Sequence, residues 1–340
     1  MPFISEDDQR RERQHAPGTD PAWQETMWFG AYDLDSGFAL EVHLARQPSR
    51  GRIEVIVCAA LGGEVISMGG SHKGDDLFSI PGLELCVIEP MKRFRISFSG
   101  YGNVGHDGDM IYAKNPYGET RFEFTLDMYT TLPVCNIGES YWRSYKGKPM
   151  GDSYVVVGKF RGHMRRGEEF VPISGVMERD HSWANRDWVS FDHLASVYAV
   201  LGDAEAFLCA TYLPMRGTND FAVIHDKNGT RNLGIPSFST DFRRTVKGIP
   251  EGAVYVPDYL RKGQRRLGIK SSLVIPYWQS SFTSSHKNQL WCENVCTFEW
   301  ERMSGVGMFN IGYSGDSVHL PLGLENTGDP PSLESRPHKM

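Results

Sequence analysis

Apolar and polar residues alternate in many short segments of this chain. Residues 38–46 (FALEVHLAR) and 121–129 (RFEFTLDMY) are clear examples. A period of two places successive side chains on opposite faces of a β-strand, so each segment predicts a strand with one buried face. Turn signals such as Gly62-Gly63 and Asn228-Gly229 separate these segments. Because helical periodicity is nearly absent, the pattern predicts an all-β chain.

The predicted strands fall into two stretches, residues 26–160 and 172–313, each about the size of a β-barrel domain. The 36 glycines and 19 prolines suit many short strands joined by tight turns. We therefore predict two β-barrel or β-sandwich domains in tandem, without a detectable sequence repeat between them. The predicted parts are a flexible amino-terminal segment (1–20), a first β domain (21–171), a second β domain (172–325) and a polar tail (326–340).

Composition and charge narrow the class of protein further. A net charge of -6 with scattered Lys and Arg residues argues against a nucleic-acid partner. The amino-terminal segment is charged where a secretory signal needs an apolar core, and no apolar run approaches the roughly 20 residues that span a bilayer. We therefore expect a cytoplasmic protein without stable membrane insertion. Its six cysteines are expected to be buried free thiols, and its oligomeric state is not indicated.

Two short motifs resemble binding or modification sites but have simpler explanations. Residues 100–105 (GYGNVG) have the glycine spacing of a dinucleotide-binding loop, yet the glycine- and proline-containing segment that follows cannot form the helix that such a loop requires. Residues 228–230 (NGT) fit a glycosylation acceptor, but Asn-Gly between two strand-like segments is a strong hairpin signal. We therefore predict no nucleotide cofactor and a turn at Asn228.

Two Asp-His pairs, at residues 180–181 and 192–193, are the candidate metal ligands. If their strands were adjacent, the pairs could surround one ion. Successive residues of a strand point to opposite faces, however, so neither pair can direct both of its members at the same ion without a bend in the backbone. We therefore predict no metal site.

Residues 175–188 (GVMERDHSWANRDW) combine charged side chains with two tryptophans. One interpretation is a buried ionic corner, in which Arg179 and Arg186 pair with neighbouring carboxylates. The other interpretation concerns Asp180 and His181, because a carboxylic acid buried beside indole rings keeps its proton near neutral pH and can act as a donor. Aromatic rings also stabilise a carbocation. Such a site suits protonation of an alkene or loss of a tertiary hydroxyl, without a cofactor.

Residues 178–188 (ERDHSWANRDW) resemble the RDHSWG-x-RDW signature of the carotenoid 1,2-hydratase and AttH-like superfamily, with Ala184 in place of the usual glycine. Residues 21–33 (PAWQETMWFGAYD) and 296–313 (CTFEWERMSGVGMFNIGY) resemble the opening and closing strands of that superfamily, so the likeness covers most of the chain. The resemblance implies two lipocalin-like β-barrel domains. It also implies non-redox reactions on hydrophobic substrates, including hydration of carotenoids and of kievitone, terpenoid cyclisation and pericyclic cyclisation.

Residue by residue, the resemblance implies that Asp180 is a proton donor, His181 its orienting or relay partner, and Trp183 a pocket wall. Further candidate substrate-binding residues are Trp188, Phe191, His193, Tyr277 and Trp278. We predict an acid-catalysed hydratase, dehydratase or cyclase, hence a lyase or isomerase, acting on a small hydrophobic isoprenoid through a carbocation. Two alternatives stay open: a lipocalin-like carrier that binds a hydrophobic ligand unchanged, and a Diels–Alder type cyclase that uses pocket shape.

Overall fold

The part of the chain that the structure describes forms two antiparallel β-sheets, which confirms the all-β fold class. A computed structural model describes residues 12–33, 35–106, 117–137, 151–185, 193–212, 221–238, 251–258, 263–279 and 289–313. The helical structure within these ranges is a single 3-10 turn at Pro48–Arg50. None of the described residues forms a helix that could cross a bilayer.

Ten strands make up the first sheet. They are β1 (Trp23–Asp33), β2 (Phe38–Gln47), β3 (Arg52–Leu61), β4 (Glu64–Lys73), β5 (Leu83–Glu89), β6 (Arg93–Gly105), β7 (Glu119–Thr130), β8 (Cys135–Asn136), β9 (Gly151–Arg166) and β10 (Glu169–Asn185). The spatial order is β10-β1-β2-β3-β4-β6-β7-β9, with β5 beside β6 and β8 beside β9. Strands β6 and β7 bury alternate residues, as the sequence pattern predicts, whereas β1, β2 and β3 are buried on both faces.

Strand β10 closes the first sheet on itself. It pairs with β1 on one side, where Trp28 lies opposite Asp180, and with β9 on the other, where Val155 lies opposite Asp180. Residues 172–185 were expected to begin the second domain. That expectation is wrong, because hydrogen bonding to β1 and β9 makes this segment, with the RDHSW motif, part of the first sheet.

Nine strands make up the second sheet. They are β11 (His193–Leu201), β12 (Ala206–Tyr212), β13 (Phe221–Asp226), β14 (Gly229–Gly234), β15 (Ser237–Phe238), β16 (Glu251–Asp258), β17 (Gly263–Gln279), β18 (Gln289–Trp300) and β19 (Met303–Tyr313). The spatial order is β14-β13-β12-β11-β19-β18-β17-β16-β15. As expected, a tight hairpin turn containing Asn228 joins β13 and β14, with Asp226 opposite Gly229.

Three apolar cores follow from the alternation along the strands. In β1, Met27 and Phe29 face a core inside the first sheet, whereas Trp28 and Tyr32 face a second core. The second core also contains Val295 and other residues of the second sheet, so the outer face of the first sheet packs against the second sheet. A third core fills the opposite face of the second sheet. We call the region of the second core the seam.

Residues 12–22 lie against the first sheet and are held there by polar contacts. The Gln14 side chain accepts a hydrogen bond from the Leu77 backbone N–H at 2.9 Å, and Ser49 donates to the Pro21 carbonyl at 2.6 Å. Glu12 is buried. The expected flexibility of residues 1–20 therefore does not hold for residues 12–20, because charged groups at the sheet bind this polar segment.

Gly100, Gly102 and Gly105 lie within strand β6, in agreement with a β structure rather than a nucleotide loop. Five of the six cysteines are buried and free, as predicted, but Cys86 on β5 is exposed.

Candidate functional site

The RDHSW motif lies on β10 and directs its side chains to both faces of the first sheet. His181 is opposite Met27, which belongs to the core inside that sheet, and Asp180 is opposite Trp28, which faces the seam. Because side chains of paired residues share a face, His181 points inward and Asp180 points toward the second sheet. The motif thus contributes to two separate polar clusters.

This arrangement corrects the expected partnership of Asp180 and His181. Both ring nitrogens of His181 have other partners: Nδ1 lies 3.0 Å from the Tyr154 hydroxyl and Nε2 lies 3.0 Å from Glu25 Oε1. Adjacent strand residues on opposite faces do not share one site. His181 therefore does not orient Asp180 by direct contact, and the two residues belong to different polar clusters.

We define the seam cluster as Glu41, Glu178, Asp180 and Glu293 together with Trp28 and Tyr32. Glu178 on β10 and Glu41 on β2 both lie opposite Gly30 of β1, so they flank it in one row across three strands. Glu293 approaches from β18 of the second sheet. Glu41, Glu178 and Glu293 are 1%, 0% and 3% exposed, whereas Asp180 is half-buried.

Gly30 has no side chain, and Trp28 and Tyr32 occupy the space that a side chain at this position would fill. A Cβ atom at this position would lie 2.2 Å from the Tyr32 hydroxyl and 2.6 Å from the Trp28 ring. The Tyr32 hydroxyl donates to Glu178 Oε1 at 3.1 Å, and the Trp28 indole N–H donates to Glu293 Oε2 at 3.1 Å. The glycine therefore permits two hydrogen bonds that position carboxyl groups from different sheets.

Burial and mutual repulsion keep protons on the seam cluster. Burial raises the pKa of Glu41 well above its usual range, and the nearby Glu293 raises it further. None of the described residues donates a well-formed hydrogen bond to either carboxyl oxygen of Glu41. Two carboxyl groups this close share a proton rather than both ionising. The Glu41–Glu293 pair therefore holds an acidic proton between the two sheets.

Glu178 has a related environment. Burial raises its pKa well above the ordinary value; the Tyr32 hydrogen bond opposes this, and the charges of Asp180 and Glu293 add to it. Aromatic rings lie beside these acids: the rings of Trp28 and Tyr198 are 6.2 Å apart between centroids. Buried protonated carboxyl groups beside aromatic rings can donate a proton to an apolar molecule and stabilise the resulting cation.

The second polar group, which we call the inner cluster, comprises Glu12, His15, Glu25, Tyr154, Arg179 and His181. Arg179 donates to Glu12 Oε1 in a buried ion pair, and Tyr154 donates to the same oxygen at 3.1 Å. The predicted burial of Arg179 in an ionic contact is thus confirmed, but its partner comes from the amino-terminal segment. His15 stacks on Trp183 with ring centroids 3.7 Å apart.

Ionisation in the inner cluster is opposite to that in the seam. Burial alone would raise the pKa of Glu25, but hydrogen bonds from His15 and His181 lower it to about 2. Burial would likewise raise the pKa of Glu12, but Arg179 lowers it. Burial lowers the pKa of His181, although Glu25 opposes this effect. The inner cluster thus contains ionised carboxylates and Arg179, whereas burial in the seam cluster favours the protonated forms of Glu41 and Glu178.

The remaining sequence-based candidates with described positions lie on different strands of the two sheets, and His193 and Trp278 fall in one row across β11, β19, β18 and β17. Trp183 packs against the core inside the first sheet, on the face opposite to Asp180, so it cannot form a wall beside that acid. Trp188 and Phe191 lie outside the described residues. In the backbone pairing, His193 begins β11 opposite Tyr313 of β19. Tyr277 and Trp278 of β17 lie opposite Trp291 and Leu290 of β18.

Two buried acids of the seam, Glu41 and Glu293, were not among the predicted site residues. Each occurs at a polar position of an alternating strand, where a solvated side chain is the usual outcome. Both lie instead on a strand face that the other sheet covers. The signal that could have revealed them is the aromatic content of the same faces, such as Trp28 two residues before Gly30 and Trp291 two residues before Glu293.

Two stacked antiparallel sheets with buried acids between them define a lipocalin-like β protein of two units. The chain belongs to the family DUF7064, described as a domain of unknown function, whose model matches residues 8–314. No curated protein sequence matches the chain significantly.

Solved structures show the same fold. An AttH-like protein from Nitrosomonas europaea has a TM-score of 0.60 at 15% identity, covering 86% of this chain and 92% of that one. Kievitone hydratase from Nectria haematococca has a TM-score of 0.52 at 12% identity, covering 86% of this chain and 88% of its own. The fold that the motif resemblance implied is confirmed.

Proposed function

We propose that the protein is an acid-catalysed, non-redox enzyme that hydrates, dehydrates or cyclises a hydrophobic isoprenoid at the seam cluster. The observation that carries this proposal is the set of buried, proton-holding carboxyl groups beside Trp28 and Tyr32. In this proposal Asp180, the half-buried member, meets the substrate, and the buried glutamates supply and recover its proton. The substrate needs no charged group for recognition, because apolar residues surround the acids.

The reaction would proceed by proton transfer followed by capture of a cation. The carboxyl proton adds to one alkene carbon and leaves a tertiary cation on the other. Water attacks the cation, and its surplus proton returns to the carboxylate; the reverse sequence is dehydration. If an internal alkene attacks instead, a ring forms, and loss of a neighbouring C–H proton to the carboxylate regenerates the acid. Rings such as Trp28 would stabilise the cation by roughly 0.5–2 kcal/mol each.

Two further observations support this class of reaction. The RDHSW motif resembles that of the carotenoid 1,2-hydratase and AttH-like superfamily, and kievitone hydratase has a similar fold. A carrier of neutral lipid would gain nothing from several carboxyl groups in its interior, since burying them without a function destabilises the fold. A catalyst that transfers protons would require them.

The test is incubation with a panel of prenyl and terpenoid alkenes and alcohols in deuterated water, with products analysed by mass spectrometry. The unchanged protein is expected to place deuterium on carbon. Asp180→Asn and Glu293→Gln are expected to lower turnover by about 10²–10⁴-fold, the usual contribution of general acid catalysis. Glu299→Gln, an exposed position on the same strand as Glu293, is the matched control and should retain full turnover.

Three outcomes would contradict the proposal. Full activity of both acid variants would remove the seam acids from the reaction. A cyclised product without deuterium would indicate a pericyclic cyclase. Tight retention of one panel member without conversion of any would indicate a carrier. Far-UV circular dichroism of each variant establishes that loss of turnover does not reflect loss of fold.

A further inference from the structure

The inner cluster contains three potential metal ligands that come from different parts of the chain. They are His15 in the amino-terminal segment, Glu25 on β1 and His181 on β10, and their ligand atoms all lie within 4.8 Å of one another. His15 Nδ1 is 2.7 Å from Glu25 Oε1, and His181 Nε2 is 3.0 Å from the same oxygen. Two imidazoles and one carboxylate are a ligand set that divalent transition metals bind readily.

The spacing of these atoms indicates the coordination geometry. With metal–ligand bonds of about 2.0–2.1 Å, two ligands at a right angle are about 2.9 Å apart, whereas two at the tetrahedral angle are about 3.3 Å apart. The two measured N–O distances, 2.7 and 3.0 Å, agree with the right angle. A six-coordinate ion held by two histidines and a carboxylate has three further positions for water or another ligand.

The neighbours of these residues are arranged as around a metal site. Tyr154 donates its hydroxyl hydrogen to Glu12, so its oxygen accepts a hydrogen bond from Nδ1 of His181. With the ring proton kept on Nδ1, a cation bound at Nε2 would replace the hydrogen bond that His181 otherwise makes to Glu25 Oε1. Such hydrogen bonds to the remote nitrogen fix the tautomer of metal-binding histidines.

The charges around the site also permit a cation. Arg46 donates to Glu25 Oε2 at 2.9 Å, so Oε1 is the oxygen that lies beside the two imidazoles, and the charge of Arg46 is offset by a two-point contact with Asp75. The His15 backbone N–H also donates to Glu25 Oε1 at 2.8 Å, and Arg46 donates to the His15 carbonyl at 2.9 Å. His15 is 19% exposed while Glu25 and His181 are fully buried, so an ion would enter beside His15.

We propose that His15, Glu25 and His181 form a binding site for a six-coordinate divalent transition-metal ion of the Mn²⁺, Fe²⁺ or Co²⁺ class. The ion fastens the amino-terminal segment to β1 and β10. The prediction of no metal site concerned residues close together in the sequence, such as the Asp-His pairs, and no short motif links residues 15, 25 and 181. This site is independent of the seam cluster, which lies on the opposite face of β1 and β10.

The test is titration of the metal-stripped full chain with Co²⁺, whose visible absorption distinguishes six-coordinate from tetrahedral sites. We expect one ion per chain, the weak absorption of six coordination, and a metal-dependent rise in Tm. His15→Gln should lower the affinity at least about tenfold without affecting either sheet, and Tyr154→Phe should lower it by about 10–100-fold as a supporting residue. His163→Gln, remote from the inner cluster, is the control and should bind as tightly as the unchanged chain.

Two results would overturn the proposal. One is the absence of stoichiometric binding of Mn²⁺, Fe²⁺, Co²⁺, Ni²⁺ and Zn²⁺ at millimolar concentration, which would assign the cluster to a hydrogen-bonded ionic network. The other is equal affinity of the His15→Gln and unchanged chains, which would place the ion elsewhere. An intense tetrahedral Co²⁺ spectrum with one ion per chain would contradict the geometric assignment.

Discussion

The substitution Glu41→Gln should make the protein more stable at neutral pH and change how its stability depends on pH. Glu41 is fully buried, and its pKa is raised by burial and by Glu293. In the unfolded chain the same group ionises near its ordinary pKa of 4.5. Folding above this pH therefore takes up a proton, so the stability present at low pH is lost as pH rises toward the folded pKa. Glutamine retains the shape of the protonated acid but has no proton to lose.

The magnitude follows from the linkage between proton binding and folding. One group that is protonated in the folded chain and ionised in the unfolded chain lowers the free energy of unfolding by about 1.4 kcal/mol per pH unit. Glu178 contributes with the same sign because its pKa is also raised, whereas His181 contributes with the opposite sign near its ordinary value because its pKa is lowered. Both groups remain in the variant. The difference in slope between the two proteins should thus be about 1.4 kcal/mol per pH unit.

The assay is urea unfolding at about pH 5, 6 and 7, followed by tryptophan fluorescence and circular dichroism. The slope of unfolding free energy against pH should be less negative in Glu41→Gln than in the unchanged chain. Glu299→Gln, which removes an exposed carboxylate, should leave the slope unchanged. Equal slopes for all three proteins would refute the conclusion that Glu41 is protonated in the folded chain, and with it a main support for the seam as an acid site.

Three other predictions follow from particular contacts. Gly30→Ala would place a methyl group 2.2 Å from the Tyr32 hydroxyl, so urea unfolding should show a loss of about 1–3 kcal/mol, and an unchanged midpoint would contradict the close packing. Arg179→Met leaves Glu12 buried without its cation and should lower the free energy of unfolding by about 3–5 kcal/mol. A decrease smaller than about 1 kcal/mol would show that the ion pair is not buried in solution. A maleimide should label Cys86 alone in the folded chain, as read by mass spectrometry, and a second label would contradict the burial of the other thiols.

The fold class could be predicted from the sequence because alternation is a local property. Segments such as FALEVHLAR in β2 show the period of two directly, and Asn228 predicted its hairpin turn. The same period implied that Asp180 and His181 point to opposite faces. The same geometry that argued against a metal site at this pair also separates Asp180 from His181 as catalytic partners.

Other features depend on contacts between distant residues, and no local pattern reveals them. A polar side chain on an alternating strand is expected to be solvated, but Glu41 and Glu293 are covered because two sheets stack. The amino-terminal segment has the composition of a disordered tail, yet Glu12 and His15 bind groups on β10 and β1. The boundary between the two sheets was placed too early because the pairing of β10 with β1 has no sequence signal.

The closure of the first sheet by β10 has a consequence for synthesis of the chain. Strand β1 can pair with β2 as soon as both have been synthesised, but its other edge pairs with β10, which is synthesised much later. Tyr32 and its hydrogen-bond partner Glu178, for example, are 146 residues apart. Contacts between residues so distant form slowly, because the entropy of closing the loop is lost before the contact is gained. Until β10 pairs with it, one edge of the eleven-residue strand β1 has unpaired backbone groups that can pair with other chains. A nascent chain that has not yet reached β10 therefore depends on its surroundings to keep that edge unpaired.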